Sequence, residues 1–275
     1  GMIMLAALLI APLFALALAK AGDGAATGAA LPDGFFNFFT TPQDIISGLG
    51  WGLGYFGMPH IIIRFMSLKS EKELRKSSVI GISWTTIILI MSALTAIAGR
   101  LYLGEIEDSS TVFITMVRRI FPALVSGLLL SAILSAAMST ADSQLLAASS
   151  AFASDVYKPV IRKKASDSEM LWAGRIVVIV IAVVALMIAS DPNSGSIMGL
   201  VENAWGVFGA AFGPVILLSL FWKRLTFGGT VAGIAAGAAV DILWLVFLSS
   251  TDIYEIVPGF AAGLPAAVGG SLLSK

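Results

Sequence analysis

The amino-acid sequence predicts an all-α protein that crosses a membrane several times and has one interrupted helix. The chain is 57% hydrophobic and only 12% charged, and its mean hydropathy is +0.93, whereas soluble domains are about 25% charged. Apolar runs of about 20 residues, the length that crosses a bilayer, recur along the chain. A segment from Gly50 to His60 that is rich in glycine and contains a proline interrupts one of these runs. These observations together predict a polytopic helical membrane protein.

Composition also excludes several classes of function. The net charge is zero, so no bulk field attracts nucleic acid. The chain has no cysteine, which excludes disulfides and thiolate metal sites. The absence of a Walker loop argues against ATP-driven transport by this chain itself. A serine hydrolase is disfavoured too, because His60 is the only histidine, and we do not expect an enzyme.

Hydropathy divides the chain into eight predicted spans. The fourth is longer than one crossing, so one of its ends is expected to project or bend. The first could instead be a signal peptide ending at Ala17–Ala19, although it lacks the positively charged leader of such peptides. The spans are Met2–Ala19, Ile45–Ser67, Val79–Tyr102, Pro122–Tyr157, Met170–Ser190, Ile197–Trp222, Thr230–Leu248 and Val257–Leu273.

Basic residues predict the orientation of these spans. They follow the second, fourth and sixth spans, which places them on one side if every span crosses. The positive-inside rule makes that side cytoplasmic. The residues are Lys69, Lys72, Arg75, Lys76, Lys158, Arg162, Lys163, Lys164, Lys223 and Arg224.

The interrupted second span predicts a solute site. Four glycines precede Pro59 and His60 in this run, and proline removes a backbone donor and clashes with the preceding turn. Lipid cannot satisfy the freed backbone groups, so such a break lies inside protein or lines a cavity. Trp51 and Tyr55 lie beside it, and broken helices are the best sequence pointer to a transporter's binding site. His60 could bind solute or relay a proton, or could be a structural hydrogen-bond partner.

The fourth span predicts an ion site. Ser135, Ser139 and Ser143 are four residues apart and therefore share one helix face, with Asp142 beside them and Thr140 on the neighbouring flank. Asp142 lies roughly 24 Å from the basic end of the span at helical rise, where a buried acid is a functional-site hypothesis. An all-oxygen shell suits a hard cation. In the alternative interpretation the hydroxyls bond back to carbonyls four residues earlier; the alignment beside Asp142 favours the ion site.

Other polar or small residues within the spans have less specific interpretations. Glu202 and Asp241 could be gating groups or packing groups, and the sequence does not choose between them. Gly229, Gly233 and Gly237 form a doubled small-xxx-small pattern, which permits close helix approach. Packing within the helix bundle is favoured over dimerisation for this pattern.

Three motifs resemble the sodium:solute symporter family, and in particular its bacterial sodium/proline symporter branch. The first is the broken segment from Trp51 to Met66. The second runs from Ala137 to Leu146 and is followed by Asp155–Lys158, and the third runs from Phe212 to Arg224. Their order and spacing are consistent, and the resemblance covers essentially the whole chain.

The resemblance implies a LeuT-like fold of two inverted five-helix repeats within a single membrane domain, 1–275. Residues 2–19 would be the last helix of the first repeat. Residues 45–222 would form the second repeat, with its broken helix at 48–60, and 226–275 would be peripheral helices. Four N-terminal helices of the first repeat would then be missing. Those helices would supply the other half of the solute pocket and further sodium ligands.

The resemblance also implies roles for individual residues. Solute contacts would fall at Trp51, Tyr55, Met58 and Pro59. Sodium would bind the side chains of Ser139 and Thr140 and the carbonyl of Ala136, and a second sodium would bind at Asp142 and Ser143. Met58 departs from the glutamine expected in close proline carriers, which leaves the identity of the solute open.

The implied function is sodium-coupled uptake of a small organic solute, proline or another amino or organic acid, by alternating access. The expected partners are Na⁺, the solute, the lipid of a bacterial inner membrane and the missing helices, with no nucleic acid. Two alternatives stay open. One is a symporter-like sensor module of a signalling protein, and the other is a symporter of the same family for a sugar, sialic acid or vitamin-type solute.

Overall fold

The computed structural model describes residues 1–22, 31–37, 41–191 and 194–274, without the side chain of Phe65. Secondary structure in these ranges is helical. A π-helical segment, Phe152–Ile161, continues the sixth helix, and two short 3₁₀ turns lie at Ser109–Thr111 and Ser249–Thr251. The α-helices are α1 Met2–Ala21, α2 Pro42–Gly54, α3 Pro59–Met66, α4 Glu71–Leu103, α5 Val112–Ile120, α6 Ala123–Ala151, α7 Asp167–Ser190, α8 Ile197–Phe221, α9 Phe227–Phe247 and α10 Ile256–Leu273.

Seven helices in the described ranges are long and apolar enough to cross a membrane. They are α1, α4, α6 with its π-helical continuation, and α7 to α10. Each corresponds to one of the eight predicted spans. The remaining prediction, Ile45–Ser67, falls on α2 and α3, two helices that are individually too short because the chain is interrupted between them.

Side-chain caps fix where the long helices begin. Ser70, Ser166, Ser196 and Thr226 each accept a hydrogen bond from the amide three residues later. At the start of α2, Thr41 and Asp44 form a reciprocal capping box, and Pro42 is the first residue of the helix. Such caps satisfy amides that the helix leaves free and contribute about 1 kcal/mol each.

The chain divides into two compact units. The first consists of Gly1–Phe36 and Leu68–Gln144, and it holds α1, α4, α5 and most of α6. Three alanines four residues apart form the buried face of α1, which packs against α4 and α5. The fully or largely buried core residues are Ala7, Ala11, Ala15, Ala98, Tyr102, Leu103, Met116, Val117 and Leu129.

The second unit consists of Asn37–Ser67 and Leu145–Lys275. In it α8, α9 and α10 pack closely together, and α2 packs against α8 and α10. A β-carbon on Gly233 would lie 2.7 Å from the Ala267 β-carbon, and one on Gly237 would lie 2.1 Å from the Ala210 carbonyl oxygen. The glycine pattern of α9 therefore serves packing within the bundle, which confirms that prediction.

The C-terminal end of the fourth predicted span, which is expected to project or bend, departs from α-helical geometry. The α-helix ends at Ala151 and winding continues as the π-helical segment, which contains Pro159. Proline cannot donate to an α-helical hydrogen bond, and wider winding accommodates such a defect.

Candidate functional site

The break in the second predicted span is shorter than the sequence suggests. The chain leaves α2 after Gly54 and enters α3 at Pro59, with a turn over Tyr55–Met58. Gly50 and Gly52 lie inside α2, so the prediction of a break over 48–60 was wrong in extent. A glycine costs a helix only about 1 kcal/mol relative to alanine. Pro59 opens α3, a position at which its missing amide removes no helical hydrogen bond.

The unwound turn retains part of its backbone hydrogen bonding. The amide of Phe56 donates to the carbonyl of Leu53 at 3.3 Å, and the amide of Gly57 donates to that of Gly54 at 3.0 Å. The carbonyl of Met58 accepts from the first free amides of α3, at 3.1 Å. The turn is thus a defined tight connection between two half-helices.

Glycines of the broken segment touch neighbouring helices directly. A β-carbon on Gly54 would lie 1.9 Å from Nε1 of Trp205, and one on Gly57 would lie 2.2 Å from the carbonyl oxygen of Phe208. A β-carbon on Gly50 would lie 2.7 Å from Cγ2 of Val257. These glycines therefore let the break lie against α8 and α10, an approach that no other residue type permits.

An aromatic cluster forms beside the break. Trp205 of α8 donates from Nε1 to the carbonyl of Trp51 at 3.0 Å, and its ring lies edge-on to Tyr55 with centroids 4.9 Å apart. Trp51 also faces Tyr254, with centroids 5.4 Å apart. Trp51 and Tyr55 thus both contact the ring of Trp205.

Sequence analysis missed Trp205 and Tyr254. They lie about 150 and about 200 residues along the chain from the break, so no local pattern links them to it. One signal was available: Trp205 is a large side chain among small ones, between Ala204 and Gly206, in a helix that otherwise packs through glycine and alanine. A tryptophan between two small residues is more typical of a specific side-chain contact than of a uniformly packed helix surface.

The predicted solute residues differ in exposure. Tyr55 is half exposed, Pro59 is exposed and Trp51 is partly buried. Met58 is buried within the second unit. Tyr55 and Pro59 are therefore accessible to a solute, whereas Met58 is not.

The tyrosine of the cluster is a neutral hydrogen-bond donor. Burial, together with the negative charges of Glu255, Glu202 and Asp241, raises the pKa of Tyr254 well above its ordinary value. Its hydroxyl donates to the carbonyl of Glu202 at 2.8 Å. The tyrosine thereby joins the start of α8 to the chain that leads into α10.

The residues predicted to bind sodium lie on α6 within the first unit. Ser139, Thr140 and Asp142 are exposed, while Ala136 and Ser143 are partly buried. The side chain of Asp142 therefore lies at the surface of the described chain. All five belong to two successive turns of one continuous helix.

Hydroxyls of this helix bond back to its own carbonyls, as in the alternative interpretation of the serine pattern. Thr140 donates to the carbonyl of Ala136 at 3.2 Å, and Ser143 donates to that of Ser139 at 2.8 Å. A donating hydroxyl still has lone pairs with which to accept. The hydrogen bonds back to the helix therefore do not by themselves exclude an ion site at these residues.

The two predicted residue sets belong to different compact units. The aromatic cluster at the break lies in the second unit, and the Ala136–Ser143 turns lie in the first. Each is a local arrangement in its own unit.

Comparison with known proteins gives a consistent result. The family model described as "Sodium:solute symporter family" matches residues 2–237. The high-affinity proline transporter PutP of Bacillus subtilis (strain 168) is 43% identical over 282 residues, which cover 100% of this chain and 59% of the relative. The osmoregulated proline transporter OpuE of the same organism is 45% identical, over 84% of this chain and 48% of the relative. The chain spans about half the length of the curated relatives it matches.

A solved structure shares the fold. The chain is similar to a Na⁺-coupled sialic acid symporter in a substrate-bound, outward-open state, with a TM-score of 0.72 and 19% identity. The match covers 100% of this chain and 61% of that one. The prediction of an all-α inverted-repeat transporter fold is thereby confirmed.

Proposed function

Since the chain belongs to the sodium:solute symporter family, we propose that it carries solute and sodium contacts of a transporter that couples sodium entry to uptake of a small organic solute. It is an integral, multi-pass membrane protein of a transporter family, not an enzyme. The observation that carries the proposal is the broken α2–α3 segment with Trp51, Tyr55 and Trp205 beside it. Transporter solute sites are typically formed by discontinuous helices with unwound backbone between two half-helices.

The solute we propose to test first is proline. Relatives that match along this chain are named as proline transporters, and a compact apolar ring packs well on aromatic faces. Tyr55 and Pro59 would contact the solute directly, Trp51 would flank it, and Met58 would set the depth of the pocket from behind. The buried thioether adapts its shape more easily than a branched side chain would.

Sodium is proposed to bind α6 at the hydroxyls of Ser139 and Thr140 and the carbonyl of Ala136. A second sodium is proposed at Asp142 and Ser143. Hydroxyl and carboxylate oxygens are the donors that a hard cation prefers. We expect helices outside the matched half of the longer relatives to complete both the shell and the solute pocket.

Sodium and solute would then stabilise the same closed arrangement of helices. Coupling of this kind is typically about 1–3 kcal/mol and is reciprocal, so the solute tightens sodium binding as much as sodium tightens solute binding. We place the protein in a bacterial inner membrane with its basic loops cytoplasmic, following the positive-inside rule.

The test is uptake by the full-length protein in proteoliposomes. Labelled proline should accumulate under an inward sodium gradient and not under a potassium gradient. Changing Ser139→Ala with Thr140→Ala should raise the sodium concentration needed for half-maximal uptake. Ser131→Ala is the matched control, because Ser131 makes the same kind of helix bond, to Gly127 at 2.7 Å, outside the proposed site. Unchanged uptake at low sodium in the double variant would refute the sodium assignment.

A further inference from the structure

Two buried carboxyl groups in the second unit have no partner to balance their charge. Asp241 of α9 is completely buried, and neither of its carboxylate oxygens has a hydrogen-bond partner among the described residues. Glu255, the residue before α10, is 7% exposed, and its Oε1 also lacks a partner within the described chain. Sequence analysis left Asp241 unassigned between gating and packing.

Both carboxyl groups face the same space, which exists because residue 206 is glycine. A β-carbon on Gly206 of α8 would lie 3.1 Å from Oδ1 of Asp241 and 3.2 Å from Oε1 of Glu255. On the far side, a β-carbon on Gly259 would lie 2.9 Å from the β-carbon of Asp241. The two acids are therefore enclosed between α8, α9 and α10.

The neighbouring polar groups do not neutralise the pair. The Tyr254 hydroxyl donates to the carbonyl of Glu202, and the Glu202 side chain adds a further negative charge. Neither acid forms an ion pair with any lysine or arginine in the described ranges. Two ionised carboxylates at such close quarters in a low dielectric repel each other and each lose hydration. A positive charge is therefore required between them.

A proton meets this requirement more simply than a metal ion. The described residues offer no group of three or more acidic or histidine side chains that would hold a metal. One proton between two carboxyl groups supplies the missing donor to one acid and removes one of the two like charges, as in carboxylate pairs that share a proton. Burial also raises the pKa of Glu255 above its ordinary value.

We propose that Asp241 and Glu255 form a proton-binding site in which the two carboxyl groups share one proton at neutral pH and thereby hold α8, α9 and α10 together. Removal of this proton at alkaline pH leaves two like charges inside the bundle. The folded state then binds a proton that the unfolded state has released, so stability falls as pH rises through the release. The site lies within the second unit and does not depend on the proposed solute or sodium contacts.

Infrared difference spectroscopy on the purified full-length protein tests the protonation state directly. A step from neutral to alkaline pH should remove the carbonyl stretch of one protonated carboxylic acid. This band should be missing at neutral pH in Asp241→Asn and in Glu255→Gln, because the remaining acid ionises beside an amide that donates to it. Glu202→Gln is the matched control and should keep the band. A wild-type spectrum without it, or one unchanged by both substitutions, would overturn the proposal.

Thermal unfolding in detergent gives a second measurement that does not require transport. The wild-type Tm should fall on alkalinisation at constant sodium, and Asp241→Asn should lose most of that fall while remaining folded. Replacing potassium by sodium at fixed pH should not alter the difference in Tm between the wild type and Asp241→Asn. If sodium stabilises the wild type and not Asp241→Asn, the pair binds a cation and the shared proton is refuted.

Discussion

The indole nitrogen of Trp205 donates a hydrogen bond to the backbone carbonyl of Trp51, 3.0 Å away, one turn before α2 ends. The bond joins two residues 154 positions apart in the chain. It holds the last turn of the first half-helix against α8 at the level of the break. We therefore expect Trp205 to position Trp51 and Tyr55, the residues proposed to bind the solute.

Replacing Trp205 by phenylalanine should weaken solute binding more than it slows turnover. The substitution keeps an aromatic ring beside Tyr55 and removes the donor to Trp51, a net loss of about 1 kcal/mol, or roughly fivefold in affinity. The KM for proline uptake should rise by about that factor, with little change in the maximal rate. Trp172→Phe serves as control, because Trp172 is exposed on α7 and contacts Arg175. A KM that changes equally in both variants would contradict this role.

An alanine at Gly54 should destabilise the protein, whereas one at Gly52 should not. The new β-carbon at 54 would lie 1.9 Å from Trp205 Nε1, while nothing lies within 4 Å of the same atom at 52. Overpacking of this kind typically costs about 1–3 kcal/mol, and glycine to alanine at an open helix position gains up to about 1 kcal/mol. The Tm of each purified variant measures the difference. Equal effects at the two positions would show that α2 does not lie against α8 as described.

Gly237 and Gly269 offer the same comparison inside the C-terminal bundle. A β-carbon at 237 would lie 2.1 Å from the backbone carbonyl oxygen of Ala210, which cannot rotate away, and at 269 it would meet nothing within 4 Å. Gly237→Ala should therefore separate α8 from α9 and lower the Tm, with Gly269→Ala close to wild type. The assay is thermal unfolding, monitored as the fraction of the protein that remains monodisperse after heating. A tolerated alanine at 237 would contradict close α8–α9 packing.

Changing Asp142→Asn should alter sodium dependence without abolishing uptake, if this residue holds the second sodium. Loss of a charged ligand typically costs about 1.5–3 kcal/mol, so sodium affinity at that site should fall by roughly tenfold or more. The dependence of uptake rate on sodium should become less steep. Asp155→Asn, in the π-helical segment of the same span, is the control. If the dependence of uptake rate on sodium concentration is unchanged in Asp142→Asn, the second sodium site at this residue is refuted.

Helix positions could be predicted from the sequence, because hydropathy and length suffice to place apolar spans. Seven spans correspond to single long helices, and the eighth is interrupted where Pro59 suggests. The extent of the interruption could not be predicted. Gly50 and Gly52 were expected to unwind, yet they remain helical because contacts to α10 and an open helix face make a regular turn acceptable there. The low helix propensity of glycine alone therefore does not decide whether the chain unwinds at these positions.

Side-chain partners were the harder part of the site. Trp51 and Tyr55 were identified from their place beside the break, but Trp205 and Tyr254 required the packing of α8 and α10 onto α2. The chemistry of Asp241 was open for the same reason. An acid within an apolar helix indicates a specific arrangement around it, and only the contacts of Gly206 show that a second acid, Glu255, faces the same space.

The contacts at Gly50 give the C-terminal end of the chain a role that its expected peripheral position does not suggest. Tyr254 stacks on Trp51, and Ile256 and Val257 lie against Gly50, so the start of α10 supports the back of the broken helix. Because residue 50 has no side chain, the side chains of Ile256 and Val257 lie directly on the backbone of α2 there. We therefore expect a larger residue at position 50 to displace the start of α10 from α2.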